Sequence, residues 1–197
     1  MEYMMKTEIT KADILPLPDY IKVRKDRHAA LIALKKLRRI EIGPVATCYF
    51  ENYDTMLHQV QEMLYIEKGG DEQVEDELRA YNPMIPKGKE LTATVIFEID
   101  EPIRRKNFLS RLGGVENTMF IRFGDHEVMG VPEEDLDRTT ADGKASSVQF
   151  IHFPFTDAQI AAFKAAAQVL VGFSHDQYGH MAVLTDASRD ALAKDFG

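Results

Sequence analysis

Arg38, Arg39, Glu51, Asn52, Asp54, His58, Gln59 and Glu62 crowd into RRIEIGPVATCYFENYDTMLHQVQE, residues 38–62. His58 and Glu62, one helical turn apart, pair an imidazole with a carboxylate, a combination that ligates metals or passes protons. Gln59 and Glu62, three apart, are expected to share a helix face as well. A guanidinium such as that of Arg38 or Arg39 can hold a carboxylate or phosphate through two parallel hydrogen bonds. Glu51 and Asn52 stand where a helix needs a cap for its free N–H groups. The competing explanation is architectural: an interior network of ion pairs and caps that fixes a helix against a strand.

A second group, His175, Asp176 and His180 in SHDQYGH, holds the donor types of a facial iron triad or a three-ligand zinc site. Its five-residue histidine spacing spans a glycine and is not the three or four that a helix favours. Cys48, the only cysteine, shares an alternating face with Ala46 and Phe50 and reads as a buried, inert thiol. A single cysteine also excludes an internal disulfide or a cysteine-rich metal centre within this chain. The glycines of RLGGVEN and FGDHEV lack the Lys-Ser/Thr of a phosphate loop, and no serine sits in a nucleophile elbow.

The elements that must position these residues follow from periodicity. Thr10 with Asp13 forms an acidic variant of the capping box, and a long helix is predicted from about Pro18 to Arg38. Residues 40–50 read as extended chain broken at Gly43-Pro44. Tyr53, Met56, Leu57, Val60, Met63 and Leu64 form one apolar stripe, so 53–67 is a helix ended by Gly69-Gly70. DEQVEDELRAY reads as a short acidic helix stopped by Asn82-Pro83. LTATVIFEI alternates with period two and is a strand. A helix is expected over Glu101–Leu112, a hairpin around Gly124-Asp125, and a short helix starting at Pro132. SSVQFIHFPF is a further strand. TDAQIAAFKAAAQVLVGF, with a stripe of Ile160, Phe163, Ala167 and Leu170, is expected to form one helix throughout. A tail from about residue 173 carries a short strand and a final helix from about Asp186. The mixture lacks a regular β-α-β rhythm, so the expected class is α+β: a mostly antiparallel sheet of about five strands packed by helices, as a single domain spanning 1–197.

The 197 residues suffice for one hydrophobic core, and 45% hydrophobic with 28% charged residues is the balance of a soluble globular chain. No apolar run reaches the roughly 20 residues a bilayer crossing needs, and the N-terminus has no signal-like apolar segment. A cytoplasmic location is therefore expected. The net charge of −8 is unevenly spread: Lys22–Arg39 holds eight Lys/Arg against Asp26, leaving a strongly acidic remainder. An acidic body argues against broad nucleic-acid binding. The basic segment suits a single anion, an acidic partner, or the chain's own acidic run 71–77.

The ordered motifs RRIEIGP, FENYDTMLHQVQEML, YNPMIPKG, VIFEI, GFSHDQY and LTDASRDALAKDF resemble an uncharacterised bacterial domain-of-unknown-function family, family 3501, from about Ile9 to Phe196. The resemblance implies a setting near rubrerythrin-like di-iron proteins and iron–sulfur proteins of heterodisulfide-reductase type. It marks Arg38, Arg39, Glu51, Gln59, Glu62, Tyr81 and Asn82 as characteristic without giving them roles or naming a cofactor. The leading expectation is an accessory protein that binds a redox protein partner or a small anionic ligand through Arg38, Arg39, Glu51, His58, Gln59, Glu62, Tyr81 and Asn82. Two alternatives stand beside it. One is a metal-dependent or acid/base enzyme using Glu51, His58 and Glu62 in a cleft floored by the sheet. The other is a structural homodimer meeting through exposed Met and Phe residues.

Overall fold

The computed structural model describes residues 6–133 and 139–197. Its helices are α1 (Leu17–Arg38), α2 (Tyr53–Glu67), α3 (Gly70–Tyr81), α4 (Pro102–Leu109), α5 (Asp157–Ala165) and α6 (Asp186–Leu192). Its strands are β1 (Arg39–Ile42), β2 (Ala46–Phe50), β3 (Glu90–Phe97), β4 (Met119–Phe123), β5 (His126–Met129), β6 (Val131–Pro132), β7 (Val148–Pro154), β8 (Leu170–Phe173) and β9 (Met181–Val183). The α+β class is as expected. The strands form two antiparallel sheets, however: β1-β2-β3-β7-β6 and β5-β4-β8-β9. Among the described residues no helix is long and apolar enough to cross a membrane.

The alternation in β3 sets the layering. Leu91, Ala93, Val95 and Phe97 all face the main core, which they share with Ile121 and Phe123 of β4 and Val171 and Phe173 of β8. The two sheets thus bury one face of each against the other. The opposite face of the larger sheet carries Thr92, Thr94 and Ile96 and is approached by α1, α2 and α3, whereas α4, α5 and α6 give Leu109, Ile160, Phe163 and Leu192 to the main core. Part of it is closed by a second, smaller core of Ile9, Met56, Val60, Met84 and Ile85, against which Phe150 packs. Each large apolar side chain withdrawn from water contributes about 1.5–3 kcal/mol, so the main core dominates stability.

Local signals explain most boundaries. Asn52 caps α2 by accepting from the Thr55 N–H at 3.0 Å while the Thr55 hydroxyl oxygen accepts from the Asn52 N–H at 2.9 Å. The turn between β1 and β2 needs Gly43 at φ +71°. A Cβ there would lie 2.6 Å from the His180 ring, so both backbone conformation and packing require glycine. Thr10 and Asp13 do form a capping box, around a single turn of 3-10 helix.

Two expectations are corrected. Residues 156–173 are not one helix: α5 stops at Ala165, Ala166 turns extended, and Leu170–Phe173 becomes β8 between β4 and β9. The alanines favour helix, but burial of Val171 and Phe173 as a central strand outweighs a propensity worth tenths of a kcal/mol per residue. Val131–Pro132 pairs with β7, and the short helix expected from Pro132 falls mostly on residues 134–138, outside the described residues. The segment after residue 173 supplies β9, α6 and the buried Tyr178, Leu184, Leu192 and Phe196. Tyr178 ties it to the first hairpin, donating to the Ile42 carbonyl at 2.6 Å and accepting from the Ala46 N–H at 3.0 Å.

Candidate functional site

The crowded residues 38–62 do not converge on one place; the fold distributes them over four. Arg38, at the last turn of α1, is 2% exposed. Its guanidinium donates to the carbonyls of Phe50 at 3.0 Å and Glu51 at 3.1 Å and forms a salt bridge with Asp195 in the C-terminal 3-10 turn. Burial pushes the Asp195 carboxyl up to about 6 even against the pull of Arg38. Arg38 therefore joins α1, the end of β2 and the chain terminus. Arg39, one residue on, points to solvent and meets Glu41 at 2.6 Å and the Tyr49 hydroxyl at 3.3 Å.

His58 and Glu62 share a face, as their spacing predicts, and that face meets α1. Glu62 accepts from Arg24 Nε and Nη2 at 2.8 and 2.7 Å and from the Tyr20 hydroxyl at 2.5 Å. The Arg24 fork holds its carboxyl down at about 2. The His58 ring packs on His28 with centroids 5.7 Å apart, and burial lowers its pKa. Gln59 does not share this face. A step of one residue turns the helix by 100°, so Gln59 looks toward α3, where its amide donates to the Tyr81 hydroxyl at 3.4 Å. Asn82 is structural: its amide accepts from the Ile9 N–H at 2.8 Å and donates to the Ile9 carbonyl at 2.9 Å.

Glu51, Gln59 and Tyr81 do come together. They line a cavity of about 370 Å³ on the helix-bearing face of the larger sheet. The floor is Tyr49 and Glu51 from the β2 side, Thr94 and Ile96 from β3, and Val148 and Phe150 from β7; Lys35 of α1, Met56 of α2 and Tyr81 of α3 help form the walls. Glu51 is 7% exposed. Burial raises its pKa, while hydrogen bonds from the Thr55 and Thr94 side chains and the charges of Lys35 and Arg38 oppose that rise. Burial also raises the Tyr81 phenol. Among the described residues neither Glu51 nor Lys35 forms a salt bridge. A half-buried ammonium and a carboxyl biased toward its neutral form thus face one space with apolar sides. That arrangement can hold an anionic group at Lys35 and donate a hydrogen bond from Glu51.

The three residues of the acid/base alternative are not assembled: Glu51 lines this cavity, whereas His58 lines a separate groove between α1 and α2 and Glu62 is engaged by Arg24. His175, Asp176 and His180 do not form a ligand set; among the described residues no group of three His, Cys, Asp or Glu is placed to hold a metal ion. A His175 ring nitrogen lies 3.3 Å from the Gly113 carbonyl, and the His180 ring packs on Tyr178 at 4.6 Å between centroids. Cys48 is fully buried, and burial pushes its thiol pKa up. Sequence reasoning misses Lys35, Tyr49 and Thr94 of this lining. The signals were there: Lys35 lies one turn before Arg38, and Thr94 lies on the polar face of an alternating strand.

Residues 8–196 match a protein family described as "Protein of unknown function (DUF3501)". The fold is similar to the crystal structure, at 1.90 Å resolution, of a novel protein of unknown function from Burkholderia pseudomallei K96243. The two chains are 36% identical with a TM-score of 0.89, covering 96% of this chain and 99% of that one. No curated protein matches the chain.

Proposed function

Because this chain belongs to the DUF3501 family, whose description assigns no activity, we propose from its own pocket that it is a binding protein for a small organic anion. The observation that supports this most is Lys35 and Glu51 facing one cavity without a salt bridge to any described residue. A half-buried ammonium without a salt-bridge partner favours an anion, and burial biases the neighbouring Glu51 carboxyl toward its protonated form, which lessens its repulsion of that anion. Met56, Ile96 and Phe150 offer contact for an apolar body, and the cavity volume lies in the range of small-ligand sites. A carboxylate attached to a ring or branched chain fits this lining better than inorganic phosphate. Gln59 and Tyr81 supply further polar contacts. A role beside rubrerythrin-like or iron–sulfur proteins, which the family resemblance implies, would run through this bound molecule.

Calorimetric titration with benzoate and with inorganic phosphate tests the reading. Benzoate is expected to bind more tightly than phosphate, and Lys35→Ala is expected to weaken benzoate about tenfold or more, the worth of one charge-assisted hydrogen bond. Binding should weaken as the pH climbs through the raised pKa of Glu51, because the ionised carboxyl then repels the ligand. Equal benzoate binding by wild type and Lys35→Ala, or none by either, removes the proposal.

A further inference from the structure

The Lys35–Glu51 cavity is unlike at its two ends. Its floor includes a row across three strands, because Tyr49 of β2 pairs with Thr94 of β3 and Thr94 with Phe150 of β7. Arg38, three residues on from Lys35 in α1, is anchored to the Phe50 and Glu51 carbonyls at the end of β2, so Lys35 and Glu51 stand at the β2 end of that row. Tyr81 and Phe150 both pack against the smaller core of Met56, Met84 and Ile85, so Tyr81 stands at the β7 end. α2 lies between: His58 and Glu62 face α1, whereas Gln59 faces α3. Two strand spacings separate Tyr49 from Phe150, roughly 10 Å.

The β7 end offers hydrogen bonds without a cation. The Gln59 amide donates to the Tyr81 hydroxyl at 3.4 Å, a long bond. It leaves the phenol proton without an acceptor and the Gln59 amide oxygen without a donor among the described residues. A spare donor beside a spare acceptor suits a hydroxyl, which gives one hydrogen bond and takes another. A second carboxylate is disfavoured there. Burial, and after it the charges of Glu77, Glu67 and Glu51, raise the Tyr81 pKa against the pull of Gln59. The phenol therefore stays protonated, in a negative field that repels anions. Between the two ends Met56, Ile96 and Phe150 give the cavity apolar surface. A flat ring covers that surface and holds two polar substituents apart, which a flexible chain does only at a cost in entropy.

We infer that the ligand is a hydroxyaryl carboxylate: its carboxylate lies at Lys35, its ring on Met56, Ile96 and Phe150, and its para hydroxyl donates to Gln59 Oε1 and accepts from the Tyr81 O–H. The carboxylate end rests on the anion reading proposed for this cavity, and the hydroxyl end on the Gln59–Tyr81 couple. The para position follows from the span, since a benzene ring with opposed substituents and a hydrogen bond at each end bridges about 10 Å. The hydroxyl separates this ligand from other aryl carboxylates, because an analogue lacking it leaves both polar groups unpaired in the cavity.

Calorimetric titration of the full chain with para-hydroxybenzoate, para-methylbenzoate and terephthalate tests it. Para-hydroxybenzoate is expected to bind about tenfold more tightly than para-methylbenzoate, the worth of one hydrogen bond given and one received. Terephthalate, with a second carboxylate in place of the hydroxyl, is expected to bind more weakly than para-hydroxybenzoate. In Tyr81→Phe and in Gln59→Leu the hydroxyl preference is expected to drop severalfold. Circular dichroism checks that each variant is folded, and should one fail to fold the other decides. Para-methylbenzoate binding as tightly as para-hydroxybenzoate overturns the inference and leaves the anion reading standing. So does a preference that a folded variant retains in full, or terephthalate binding more tightly than para-hydroxybenzoate. Binding of none of the three by wild type removes the anion reading and this inference together.

Discussion

Two ionic centres lie at the first strand-to-helix junction and behave oppositely. Arg38 and Asp195 form a closed centre: the guanidinium is spent on two strand-end carbonyls and a buried carboxylate that anchors the C-terminus. Lys35 and Glu51 form an open one: three residues earlier on the same helix, an ammonium looks into a cavity whose carboxyl has no cation bound to it. The difference teaches that charge crowding in a sequence is no guide to availability. One turn of α1 separates a group that holds the fold together from a group that can hold something else.

The largest expected effect comes from the closed centre. Arg38→Ala should destabilise the protein by about 3–5 kcal/mol, because it leaves Asp195 buried without a partner and strips two carbonyls of their donor. Denaturant unfolding measures this, and a loss below ~1 kcal/mol would show that the centre is not closed. Next, Glu62→Ala should cost about 1–3 kcal/mol, since the buried Tyr20 hydroxyl loses its acceptor and Arg24 its anchor. If Glu62→Ala instead left stability untouched, the α1–α2 contact would not depend on this network.

Glu51→Gln should change stability by no more than about 1 kcal/mol at neutral pH, in either direction. In the wild type the folded pKa is raised, so keeping the carboxyl buried becomes costlier as the pH rises from its unfolded value of 4.5 through the folded one. Glutamine removes that pH slope. A loss as large as that of Arg38→Ala would move Glu51 into the architecture and abolish the contrast between the centres.

The smallest effect concerns a third arrangement, at the far edge of the same sheet. His152 on β7 has its two ring nitrogens 3.0 Å from Glu90 and 2.8 Å from Glu133. The Glu90 hydrogen bond, with that of Glu133, raises its pKa above the ordinary 6.5 in spite of burial. The imidazolium's contribution to stability is therefore complete below about pH 6.5 and is lost as the pH rises through the folded pKa. The stability gap between wild type and His152→Gln should accordingly be widest in mild acid and narrow with rising pH. A gap that is flat across that range would mean that the histidine is held neutral.

Much of the scaffold was readable from residue order. A cap at Glu51 or Asn52 and the apolar stripe that follows predict a helix over 53–67, which is α2, and the alternation of 91–97 predicts a strand, which is β3. Legibility ended where a local signal competes with burial. The alanines before β8 look helical, and only the need to place Val171 and Phe173 between two neighbouring strands makes the chain extended there. The candidate site is half legible: the sequence marks Glu51, Gln59 and Tyr81, which line one cavity, but hides Lys35 within a basic run, and His58 and Glu62 face α1 instead.

What sequence alone determined is which segments are helix or strand and which of their faces are apolar, because capping, alternation and helical period act over a few bonds. What only the tertiary structure decided is which charged groups are sealed and which look into space. That depends on the layer packed over each face: the C-terminal turn covers Arg38, while α1, α2 and α3 leave a cavity beside Lys35 and the buried Glu51. Those contacts join residues far apart in the chain, and no spacing within residues 38–62 encodes them.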